Sequence, residues 1–155
     1  MNTQQLLIVM QEWIASGQRL YALLDRQSKA LAHRDVTQVE ALRPHIEQSL
    51  ETAQALDARR SELFNSLAQE LEVEVNLKEI SSRLPANEAR AVTHISLRAG
   101  RLAEAIRLML ERNRVLIENE LVYVEGTLSL IAKAAQEQTA YGRGNAPALW
   151  VNEVA

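Results

Sequence analysis

The segment Arg101 to Tyr141, RLAEAIRLMLERNRVLIENELVYVEGTLSLIAKAAQEQTAY, constrains this chain more than any other, because its apolar residues hold helical spacing throughout. Leu102, Ile106, Leu110, Asn113, Ile117, Leu121, Val124, Leu128, Ile131 and Ala135 recur in steps of three and four and form one stripe. A second row, Leu108, Val115, Val122 and Ser129, with Leu116, Tyr123 and Leu130 beside it, makes most of the circumference apolar between Leu108 and Ile131. A helix apolar on two sides needs two partners. One is the rest of this chain, and the other is expected to be a helix from a different protein.

The remainder reads as helix too. Only six aromatic residues and five glycines among 155 suit helices better than sheets. Asn2 or Thr3 can cap a first helix, whose Leu6, Met10, Trp13, Gly17, Leu20, Leu24 and Leu31 follow near-heptad spacing to about His33. Gly17 lies on that stripe and costs about 1 kcal/mol of helix propensity relative to Ala, which points to a close helix crossing. Asp35 can cap the next segment, and Pro44 either opens a new helix or kinks a longer one that ends near Glu72. LEVEV, Leu71 to Val75, alternates like a strand but has no second strand to pair with, so it is a helix end or a loop. Asn76 with Glu79 resembles a capping box for a short helix ended by Pro85, and Asn87 is expected to cap the last one. Uninterrupted to Ala140, that last helix measures about 80 Å, unless Gly100 or Gly126 breaks it. The expected fold is all-α, an elongated antiparallel bundle of three to four long helices with coiled-coil-like packing. Residues 1–141 form a single domain in this reading, and 142–155, with two glycines, a proline and no helical period, form a flexible tail. Leu149, Trp150 and Val151 in that tail either dock on the bundle or a partner, or form an incidental apolar patch.

Charge and residue inventory narrow the chemistry. A net charge of -3 with mixed signs gives no strong field for nucleic acid or anionic membrane. Arg83 to Arg114 does hold a surplus of arginines, read as solvated faces and intramolecular pairs. Absent cysteine excludes disulfides, thiolate catalysis and Cys-based zinc sites. The run Leu6 to Met10 is much too short for a membrane span or a signal segment, so a cytoplasmic protein is expected. Bundle di-iron sites need Glu-x-x-His pairs, yet Ala30, Leu42 and Ala91 precede His33, His45 and His94 by three. Glu118 and Glu120 point about 200° apart on a helix and cannot converge as a catalytic pair. Gly142-Arg143-Gly144 follows a helix and opens none, so it is no nucleotide loop. No cofactor, metal site or enzyme activity is expected.

The order of elements, with ERNRVLIENEL and the closing TAYGRG, resembles the FlgN family of flagellar type III export chaperones. The family's last helix carries an Asn-x-x-Leu-Ile-x-x-x-Leu pattern, met here by Asn113, Leu116, Ile117 and Leu121, and ends in a Thr-x-Tyr-Gly motif, met by Thr139, Tyr141 and Gly142. Arg59-Arg60 matches the arginine position of the family's second helix. The resemblance implies a cytoplasmic chaperone that binds the hook-filament junction proteins FlgK and FlgL before secretion and delivers them to the export gate. It also implies a cargo surface of Leu116, Leu121, Val122, Val124, Leu128 and Ile131, with Tyr141 docking on the gate. The residues alone leave alternatives open. Both apolar rows can instead be covered by this chain's own helices or by a second copy, in a structural coiled-coil oligomer or an adaptor of the export ATPase. Asn113 either fixes register inside the bundle or sits where the stripe meets solvent, and Tyr141 is either a packing anchor or a partner contact.

Overall fold

A computed structural model describes residues 2–140, with side chains through Glu137. Four helices follow one another, α1 Asn2–Ala32, α2 Val36–Glu70, α3 Leu77–Arg83 and α4 Ala86–Ala140, and no strand occurs among the described residues. Contacts group the chain into two units, one ending at Asn113 and one beginning at Arg114.

The first unit is a bundle built on two apolar clusters. At one end Leu6, Met10 and Ile14 of α1 meet Leu67 and Ala68 of α2, Ile80 of α3, and Ile95 and Ala99 of α4. At the other, Leu20 and Leu24 of α1 meet Leu42 and Ile46 of α2 and Ile106 and Met109 of α4. The numbering runs down α2 as it runs up α1 and this part of α4, so α2 is antiparallel to both. Each fully buried leucine or isoleucine here contributes about 1.5–3 kcal/mol, and Leu6 and Ile80, at 0% exposure, anchor the first cluster.

Local chemistry explains the element ends. Asp35 caps α2 by accepting from the Gln38 N–H at 3.1 Å, and Asn76 caps α3 by accepting from the Glu79 N–H at 2.8 Å. Two helix ends close through left-handed residues that are not glycine. Arg34 has φ 56° after α1 and Glu72 has φ 54° after α2, and the next amides, Asp35 and Val73, donate back to the Ala30 and Ala68 carbonyls. The LEVEV segment is this turn and a loop.

Three details depart from the sequence reading. α4 begins at Ala86, so Pro85, whose carbonyl accepts from the Ala89 N–H at 2.8 Å, takes the capping position expected of Asn87. Pro44 lies inside a continuous α2 and opens no new helix. In α4 the buried positions are Val92, Ile95, Ala99, Ile106, Met109 and Asn113, with Leu102 packed against them; Leu110 is 39% exposed. That is a strict alternation of three and four, the seam of a coiled coil, which selects Met109 where simple helical stepping selects Leu110. Neither Gly100 nor Gly126 interrupts α4.

Candidate functional site

The seam ends on a polar residue. Asn113 is buried, and its amide nitrogen donates to the Leu24 carbonyl and to Gln27 Oε1, both at 2.8 Å, tying α4 to α1. Its own amide oxygen is buried without a hydrogen-bond partner. Of the two roles open to Asn113, the structure selects register.

From Arg114 to Glu137 no residue of α4 is buried, although the segment is rich in large apolar side chains. Leu121 is 57% exposed, Val122 68% and Leu130 70%; Val124 and Ile131 are also exposed, and Leu116 and Leu128 are half-buried. At about 100° per residue, Leu121, Val124, Leu128 and Ile131 share one face, and Ile117 extends it. Val122 and Leu116 lie off that face on different sides, so the expected cargo residues occupy more than one row. An ion pair between Arg114 and Glu118 and a hydrogen bond from the Thr127 hydroxyl to the Tyr123 carbonyl are local to the helix. Tyr141 and Gly142, and the tail with Leu149 to Val151, lie outside the described residues, as does the side chain of Thr139.

Sequence reasoning missed one further surface. In the bundle, Arg60 of α2 bonds Asp57 at 2.8–2.9 Å, and Arg107 of α4 makes a two-pronged bond to Glu104 at 2.8 and 3.0 Å. Asp57, Arg60 and Arg107 border cavities lined by α1, α2 and α4, with Leu77 of α3 at one of them. Hydrogen bonding from Arg107, together with its charge, holds the Glu104 carboxyl below its ordinary value. The pair's contribution is present above the ordinary glutamate range and is lost as pH falls through that lowered value. The only signal in the sequence was the run of small residues Ala99, Gly100 and Ala103, which periodicity alone does not distinguish from ordinary helix.

Among the described residues no group of three or more metal-ligating side chains gathers, and no helix is long and apolar enough to cross a membrane.

A coiled-coil-like bundle whose longest helix carries a row of exposed apolar side chains defines an all-helical protein with an uncovered apolar face. The chain belongs to the FlgN family, the flagellar export chaperones: the family model described as FlgN protein matches residues 1–147. A comparison with curated proteins gives no match. A comparison with solved structures gives none either.

Proposed function

We propose that this protein acts in the cytoplasm as the export chaperone of the hook-filament junction proteins FlgK and FlgL, holding them through the C-terminal half of α4 and delivering them to the export gate. One observation carries the reading: from Val115 to Ile131 the helix keeps large apolar residues that its own chain leaves exposed or half-exposed. An amphipathic cargo helix laid along Leu121, Val124, Leu128 and Ile131 gains about 25 cal/mol for each Å² of apolar surface it covers. Leu116 and Val122 widen the contact to the sides. Binding of this kind masks an aggregation-prone segment before export and needs no catalysis, so the protein is read as a binding module and not an enzyme. Tyr141 is assigned to gate docking on the family motif.

Isothermal titration with the C-terminal segment of FlgK from the same organism tests the reading. Tight binding that Leu128→Asp weakens at least tenfold, with unchanged helicity, is the expected result. No heat with the wild-type chain, or full affinity in Leu128→Asp, assigns the face elsewhere. Leu128 is half-buried in a stretch with no buried residue, so aspartate there reaches no core, and the helicity measurement separates loss of binding from loss of fold.

A further inference from the structure

Two adjoining cavities of about 320 and 420 Å³ open between α2 and α4, wholly within the unit that ends at Asn113. Trp13, Asp57 and Ala103 line both, so together they make one trench. Met10, Trp13 and Leu20 of α1 form its floor. The α2 wall runs from Leu50 to Phe64 and the α4 wall from Ser96 to Leu110, and each stretch spans about 21 Å at 1.5 Å per residue. A trench that long and that apolar fits a four-turn helix. Its walls are low as well as long. A Cβ placed on Gly100 would meet nothing within 4 Å, and alanines at 53, 58, 99 and 103 leave room for large side chains from an incoming helix.

Its charge selects among occupants. The charged side chains that line it are Asp57 and Arg60 on α2 and Arg107 on α4, a net charge of +1. A guanidinium carries five N–H donors, and the bonds to Asp57 and Glu104 leave donors for further carboxylates. An occupant with an apolar face and acidic flanks fits this trench, and the sequence contains one. Ile117 to Ile131 spans about 21 Å, matching the walls, and carries Glu118, Glu120 and Glu125 with no Lys or Arg. At about 100° per residue, Glu118 and Glu125 flank the Leu121–Val124–Leu128 face on one side and Glu120 flanks it on the other.

We propose that the trench between α2 and α4 of one molecule receives the Ile117–Ile131 helix of a second copy, with aliphatic side chains over Trp13 and glutamates meeting Arg60 and Arg107. This docking does not rest on the cargo reading. If that reading also holds, cargo and a second copy compete for one helix face, and self-association keeps the face covered until cargo arrives.

Sedimentation equilibrium of the full chain tests the proposal. Wild type is expected to associate reversibly through the micromolar range, more weakly as salt rises. Ala103→Phe, which fills the trench, and Leu128→Asp, which spoils the helix, are each expected to weaken association at least tenfold. An equimolar mixture of the two is expected to recover association, because the first supplies an intact helix and the second an intact trench. If Ala103→Phe does not fold by circular dichroism, Gly100→Leu fills the same space. A wild-type monomer at all concentrations, association untouched by either change, or a mixture that stays monomeric overturns the proposal. Ala103→Phe leaves the α4 face intact, so its titration with the FlgK segment reports the cargo reading separately.

Discussion

Two residues of the bundle show how much one side chain decides. Gly17 is buried, and a Cβ there would come within 2.8 Å of Leu102 Cδ2. That atom is the far end of a side chain that can rotate, and Ala also recovers about 1 kcal/mol of helix propensity. Gly17→Ala is therefore expected to change stability by less than about 1 kcal/mol in urea titration, whereas Gly17→Val, which cannot be accommodated by one rotamer shift, loses about 1–3 kcal/mol. Asn113 behaves oppositely, because its buried oxygen has no partner. Asn113→Leu removes that unsatisfied group in the same branched shape and is expected to raise stability by about 1 kcal/mol, measured by the same titration. Its cost falls on register, since the bond to the Leu24 carbonyl is gone. Gly17 and Asn113 were both legible as special in the sequence, because each interrupts an apolar period. The left-handed turns at Arg34 and Glu72 were not, since the expected signal is a glycine and neither position has one.

At the scale of elements, the helices were legible from period and caps. Asp35 and Asn76 cap as their spacing predicts, and the strand-like LEVEV forms no strand because one isolated run has nothing to bond to. Pro44 shows where local rules yield to packing. It sits in the interior of α2 and lacks the N–H that would bond one turn back, but Leu42 and Ile46 on either side are buried in the second cluster and hold the helix through it. Pro44→Ala is expected to raise stability by about 1–3 kcal/mol, read as a higher thermal midpoint with no loss of helicity. Met109 replaced Leu110 in the seam for a different reason. The two differ by one position, and only the partner helix determines whether the stripe follows a period of 3.5 or 3.6. The trench was illegible for a related reason, since it is space left between helices, and the small residues Ala99, Gly100 and Ala103 that border it look like ordinary helix in the sequence.

For the whole molecule, every buried residue among those described lies at or before Asn113, and the uncovered apolar rows, apart from Leu108, lie after it. An isolated helix derives little stability from propensity alone, and most helical stability in proteins comes from a packed face. Native-state hydrogen exchange of the protein diluted to its monomer is therefore expected to show amides of Arg114 to Ala140 opening with far lower free energies than those beneath Leu6, Leu24 and Val92. If the FlgK segment binds as proposed, it is expected to raise their protection selectively. Equal protection along all of α4 in the free protein would count against a face left uncovered.

The same division sets an order in time. Ribosomes extend chains at roughly 5–20 residues per second, so the stretch from Arg114 to Ala140 takes about one to five seconds to synthesise after the last core residue is made. Helical bundles dominated by local contacts fold in microseconds to milliseconds. The residues of the first unit's core therefore leave the ribosome ahead of the adhesive rows, and folding that fast lets the core close around them as they emerge, with those rows last to compete for a place in it.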